Sequence, residues 1–299
     1  MRRGVLAGVT AYLIWGLFPL YWPMLSPAGS VEVLAHRMLW SFVLMALLVT
    51  GLRQWRPIFS MAGRTWLLVT AAAVLIALNW WLYIFAVTGG HIIDAALGYY
   101  INPLVSVLFG VVVFGERLRR AQWLAVCLGA AAVAVIAFGG GGLPWIAVAL
   151  AVTFAGYGLV KKVVPLAPTE SLTAEGVVLV IPAVGYLVVL QSSGSSTLTG
   201  NGAGHVALLV GAGLVTVVPL LAFAAAARAL PLSVLGLLQY LTPTVQFLLG
   251  VFWAGEHMPP ARWAGFMLVW TALVVLSYDA LRRARAGRRD KRQPAATPR

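Results

Sequence analysis

Ten apolar runs, each close to the twenty or so residues a helix needs to cross a bilayer, limit what this chain can become. They cover Gly4–Met24, Val31–Thr50, Thr65–Thr88, Ile92–Gly115, Ala121–Phe138, Leu143–Val160, Glu170–Leu190, His205–Arg228, Leu232–Ala254 and Ala261–Leu281. Only 10% of the 299 residues are charged and 61% are hydrophobic, whereas soluble domains carry about 25% charged residues. The expected fold is therefore all-α, a polytopic membrane protein of ten transmembrane helices. Long continuous runs, not short alternating ones, argue against a membrane β-barrel. The opening "MRRGVLAGVTAYLIWG" has two arginines before an apolar stretch but no small-residue cleavage site, so it reads as the first span.

The formal net charge of +13 does not point to nucleic acid, because the cations lie between the runs and after Leu281. With the N-terminus inside, the cytoplasmic connections hold Arg53, Arg56 and Arg64; Arg117, Arg119 and Arg120; Lys161 and Lys162; and Arg228. The external connections hold a single arginine, Arg262. This obeys the positive-inside rule and places both termini in the cytoplasm. The Ser/Gly/Thr-rich stretch 191–204 reads as a flexible external loop. The lone Cys127 reads as a small packing residue.

An internal repeat sharpens the architecture. Residues 97–125 and 237–265 align without a gap at an offset of 140, with 11 identities in 29 positions. Chance identity at this composition is roughly one in ten, so this is a repeat. "NPLVSVLFGVVVFGE" is echoed by "TPTVQFLLGVFWAGE", pairing Pro103 with Pro243, and Gly115-Glu116 with Gly255-Glu256. Spans 1–5 thus repeat as spans 6–10. Five is odd, so the two units cross the membrane in opposite senses. Residues 1–140 form the first five-helix repeat, 141–281 the inverted second, and 282–299 a basic, disordered tail. Inverted repeats are a common build of secondary transporters, with the substrate at the midplane between the halves.

The segments "YLIWGLFPLYW", "EVLAHRMLWS", "NWWLYIFAV", "LGYYINPLVSVLFG", "GERLRRAQWLAV", "YGLVKK" and "VPLLAFAAAARALPLSVLGLLQYLTPT" closely resemble the RarD family, in the EamA branch of the drug/metabolite transporter superfamily. The likeness fades only in the 191–204 loop and the tail. It implies a bacterial inner-membrane permease of unassigned substrate, and supplies no agreed site residues.

Site candidates come instead from polar groups placed where lipid makes them costly. Arg37, preceded by His36, lies about two turns into span two, and is weighed as a substrate or counter-ion group against a structural pair. Asp94 is either a helix-start carboxylate or the partner of Arg37. Glu175 is either a proton acceptor or turned to the headgroups, and Glu32 is interfacial. Asn79 is a neutral group near the middle of span three; Asn102, Gln239 and Thr242 lie by the paired prolines, which free backbone carbonyls and bend helices. Tyr100, Tyr157 and Tyr240, with Trp15 and Trp80, offer stacking faces. Pro103, Pro243, Glu116 and Glu256 are structural, the glutamates capping the following helix or tying its loop. Gly129 and Gly265 allow close helix approach.

No phosphate-binding "GxxxxGK[ST]" and no "HExxH" occur. The reading includes neither cofactor nor metal, and no enzyme. It gives a permease or exporter of a small organic metabolite or drug, working by alternating access, with proton coupling through Asp94, Glu175 or His36 as one option. Its partners are the lipid bilayer and an unidentified small molecule, with a homodimer left open and nucleic acid excluded. The alternative is a non-transporting membrane protein, such as a lipid scramblase or assembly partner, without a solute-sized midplane cavity.

Overall fold

A computed structural model describes residues 2–115 and 117–290. Met1, Glu116 and residues 291–299 lie outside the described residues. Thirteen α-helices follow in order among the described residues: α1 Arg2–Gly16, α2 Phe18–Tyr21, α3 Ser30–Gly51, α4 Trp55–Phe59, α5 Gly63–Thr88, α6 Ile92–Phe114, α7 Arg120–Ile136, α8 Trp145–Val163, α9 Pro168–Ser192, α10 Gly202–Ala229, α11 Leu232–Leu238, α12 Leu241–Leu248 and α13 Pro260–Asp290. There is no strand among them. In lipid a helix satisfies every backbone polar group internally, which is why such runs fold this way. Among the described residues nine helices are long and apolar enough to cross a membrane, and ten if α1 and the segment Phe18–Leu25, bent by 41°, form one span. An outward-facing belt of large apolar side chains, among them Leu6, Val112, Ile181, Phe252 and Val274, suits lipid rather than water.

The paired prolines behave differently. α6 stays helical through Pro103. The equivalent span breaks after Leu238 and restarts at Leu241, with Pro243 in the first turn of α12, where a missing N–H costs nothing. Both glycines of the repeated Gly-Glu pair, Gly115 and Gly255, have φ 64°, the left-handed conformation that ends helices and favours glycine.

Packing is chiefly between helices distant in sequence. α6 and α5 both lie along α8, α7 along α13, α3 along α9 and α10, and α1 along α10 and α12. Close approaches depend on missing side chains. A Cβ at Gly129 would meet Leu104 at 2.4 Å, and one at Gly265 would meet Ile136 at 2.5 Å.

Four expectations from the sequence need correction. Residues 282–290 continue α13, so the last helix extends beyond the expected end at Leu281. The 191–204 loop is anchored: Thr197 donates its N–H to Glu32 Oε1 at 2.7 Å, and its hydroxyl lies 2.8 Å from His205 Nε2. Glu32 is consequently buried under that loop, not interfacial. Cys127 sits on the exposed face of α7 instead of in packing, because the helix turns its small residues Ala125 and Gly129 inward.

Candidate functional site

Four helices, α3, α5, α9 and α10, meet around a central cavity of ≈ 40 Å³. α3 supplies Met38, Ser41, Phe42 and Met45, and α9 supplies Leu172, Glu175, Gly176 and Leu179. Both sets follow the i, i+3, i+4, i+7 spacing of one helix face. Ile76 and Trp80 come from α5, Val217 and Leu220 from α10. The volume suits about one or two waters, not an organic solute. The sequence reading expected a solute-sized midplane cavity, and the bulk of Trp80, Phe42 and the two methionines closes it.

Arg37 lies behind one wall of this cavity. Its side chain is 3% exposed, and its Nε donates to Thr216 Oγ1 on α10 at 2.9 Å. Its guanidinium carbon lies 4.0 Å from the Trp80 ring centroid, 5.1 Å from Trp22 and 5.5 Å from Phe18. Nη1 makes no hydrogen bond. A desolvated cation–π contact contributes about 2 kcal/mol, and burying an unpaired ion costs several. Aromatic faces and one hydroxyl therefore offset only part of the cost of this charge.

Asp94 does not reach Arg37. It pairs with Arg262 at 3.4 Å and with His91 at 3.6 Å. The correction is geometric: Asp94 sits in the first turn of α6, where Arg262 and His91 reach it, while Arg37 lies two turns into α3. At the same end Glu256 Oε2 accepts the N–H of Ile93 at 2.9 Å, and Oε1 accepts that of Ile92. Glu256 thus caps α6, a helix of the other half, and not the helix that follows it. Burial holds its carboxyl above the ordinary carboxylate value; the two N–H groups oppose this, and Asp94 adds to it.

Glu175 faces the cavity and not the headgroups. It is 3% exposed, pairs with Lys161 Nζ at 2.6 Å, and accepts hydrogen bonds from Ser171 at 3.0 Å and Tyr157 at 3.2 Å. Sequence reasoning counted Lys161 only as a loop cation and so missed this pair. The signal was the Lys161-to-Glu175 spacing across a short connection.

The remaining candidates do not converge on one point. Asn79 is tied to α8 through Leu150 O and Thr153 Oγ1, each at 3.0 Å, with Tyr99 OH at 3.4 Å from its carbonyl oxygen. Thr242 donates to Tyr12 O at 2.8 Å. Gln246, beyond Pro243, donates to Tyr83 OH at 2.8 Å. Asn102 Oδ1 and both ring nitrogens of His36 are buried without a protein partner among the described residues. Gln239 ends α11, half-buried. Tyr100 OH lies 2.7 Å from Thr244 Oγ1, and both line a second cavity of ≈ 600 Å³ with Tyr240, Trp270, Ser277 and Tyr278. Its rim residues Val274 and Tyr278 are exposed, so it opens on the apolar belt, where acyl chains have access. No group of three His, Cys, Asp or Glu side chains among the described residues is placed to hold a metal.

Residues 2–138 match the EamA-like transporter family. The chain is 52% identical to Protein RarD of Streptomyces exfoliatus, over 99% of this chain and 94% of that protein. It is 40% identical to Protein RarD of Escherichia coli K12, over 94% and 95% of the two chains. It is 39% identical to a Bacillus subtilis protein named as an uncharacterized transporter, YojE, over 96% and 97%. A protein of known crystal structure shares the fold, with a TM-score of 0.60 at 18% identity over 91% of this chain and 96% of the other. These likenesses mark a multi-pass membrane transporter and not an enzyme, and with bacterial relatives throughout they support the inner membrane. The chain belongs to the RarD family of EamA-like transporters, within the drug/metabolite transporter superfamily.

Proposed function

We propose that this chain is a secondary transporter that moves a small organic solute by alternating access between two inverted five-helix halves, 1–140 and 141–281. The observation that carries the reading is the central cavity, walled by two helices of each half and lined by the buried Glu175, with the buried Arg37 behind its Trp80 wall. The helix pairings support the inversion. When each span is exchanged for its repeat partner, α1·α10 becomes α8·α5, α3·α10 becomes α9·α5, and α6·α8 becomes the α12·α1 pair, all of which are in contact. The matched φ of Gly115 and Gly255 supports it too. In this arrangement the centre is closed, and the solute enters a state in which Trp80 and the α3 and α9 faces have separated.

The topology follows the cations. Arg119 at the start of α7 pairs with Asp279 of α13 at 3.2 Å. Gly4 of α1 packs on Ala229 of α10. Both contacts gather basic segments at one end, the cytoplasmic end by the positive-inside rule. Proton coupling is assigned to Glu175, since it is the acid that borders the cavity. Counterflow in proteoliposomes over a panel of organic solutes, with and without a proton gradient, tests the whole reading. Saturable flux of at least one solute is expected; absence of protein-dependent flux across the panel counts against transport.

A further inference from the structure

Arg37 is a buried cation whose partners, among the described residues, are all neutral. Of the buried charged side chains, Asp94 is paired with Arg262, Glu175 with Lys161, and Glu32 with the Thr197 N–H. Arg37 has only the Thr216 hydroxyl and three aromatic faces, and no carboxylate lies within 4.0 Å of it among the described residues. Its Nη1 group is left without an acceptor.

A guanidinium presents a planar fork that matches a carboxylate or sulfonate through two parallel hydrogen bonds. In the closed state that place is taken by the negative face of the Trp80 ring. Trp80 is also a wall of the central cavity. One side chain therefore separates the unneutralised cation from the space between the halves.

We propose that Arg37 is the binding group for an anionic solute, a carboxylate or sulfonate on a compact apolar or aromatic body, and that Trp80 swings aside to admit it. The site rests on the transporter reading given above. The apolar body is accommodated by Met38, Met45 and the aromatic rings of the Arg37 box. The Glu175–Lys161 pair on the far wall is self-neutralised, so the net charge that the pathway offers a solute is that of Arg37. A cation would meet repulsion at Arg37. A neutral amide would leave its charge uncompensated.

The test uses full-length protein in detergent with probes that share one ring: phenylacetate and benzenesulfonate against phenylacetamide and phenethylamine. The two anions are expected to raise the thermal midpoint by several degrees at millimolar concentration, and the amide and amine are not. R37Q should abolish the shift while leaving the ligand-free midpoint unchanged or higher, since it removes an unpaired buried charge. R37K, which keeps the charge and loses the fork, should weaken binding about tenfold or more. Equal stabilisation by the amide or amine, no shift from either anion, or a shift that survives in R37Q overturns the assignment. Benzenesulfonate counterflow in proteoliposomes separates the two readings. Binding through Arg37 without flux of any panel solute keeps the anion site and removes transport. Flux of a neutral or cationic solute at the wild-type rate in R37Q keeps transport and removes the anion site.

Discussion

The Glu256 carboxylate accepts the backbone N–H groups of Ile92 and Ile93, joining the end of one half to the first turn of α6 in the other. Gly250 makes this reach feasible, since a Cβ there would meet Ile93 Cγ1 at 2.7 Å. A carboxylate here satisfies two orphan donors and complements the helix dipole. E256A is expected to cost about 1–2 kcal/mol, the scale of a lost cap. E256Q, which keeps one acceptor, should cost less. An E256A protein with the wild-type midpoint in thermal unfolding would remove this contact from the list of supports.

The same residue sets a pH dependence. Its carboxyl is raised above the ordinary value by burial, so the folded protein holds this proton more tightly than the unfolded chain. Stability from this group is fully present at pH below the ordinary carboxylate range. It is lost as pH rises through the raised value. Thermal midpoints measured across that range should fall less steeply in E256Q than in the wild type. Identical slopes would contradict the assignment.

Asp94 and Arg262 are separated by 168 residues in sequence and 3.4 Å in space. A double-mutant cycle of D94N and R262Q, read by chemical unfolding in mixed micelles, is expected to give a coupling of about 1 kcal/mol, as for a partly buried pair. Strict additivity would mean that the pair is incidental. D94N should leave anion-induced stabilisation at Arg37 intact, because the two residues do not meet.

That pair shows where sequence reasoning ends. The apolar runs and the sequence echo between residues 97–125 and 237–265 are legible, because hydropathy and identity are one-dimensional signals. Depth along a span follows from 1.5 Å per residue. The direction a side chain faces within a helical bundle does not follow, since it depends on which helices become neighbours. Asp94 lies in the first turn of α6 and Arg37 two turns into α3, and the two side chains find different partners. Lys161, in the last turn of α8, reaches Glu175 of α9 across the short connection 164–167. Trp80 was read as one aromatic among many, and its place between Arg37 and the cavity needed coordinates.

The Lys161–Glu175 pair, with its carboxylate buried and its ammonium partly exposed, predicts an asymmetry. K161M leaves a carboxylate, itself 3% exposed, without its cation, and should cost about 3–5 kcal/mol. The double variant K161M/E175L removes both charges and should recover most of that loss. E175Q should fold, and its flux should no longer respond to an imposed proton gradient. Gradient-dependent flux in E175Q at the wild-type level would move proton coupling away from this residue.

The Arg37–Thr216 hydrogen bond requires α10 to press on α3. That approach is set at Gly213, where a Cβ would lie 2.6 Å from both the carbonyl carbon and the Cβ of Trp40. The obstacle is largely backbone, so neither helix can yield without moving as a whole. G213A should therefore cost about 1–3 kcal/mol, the usual penalty of overpacking. It should also draw Thr216 away from Arg37 and weaken anion-induced stabilisation. Gly185 on α9 provides the control, because a Cβ there meets nothing within 4 Å. G185A should be neutral or slightly stabilising, by up to about 1 kcal/mol from helix propensity. Thermal midpoints of the two variants, with and without benzenesulfonate, make the comparison. If G213A proves as benign as G185A, the contact of α3 with α10 is looser than described, and Arg37 is not held by it.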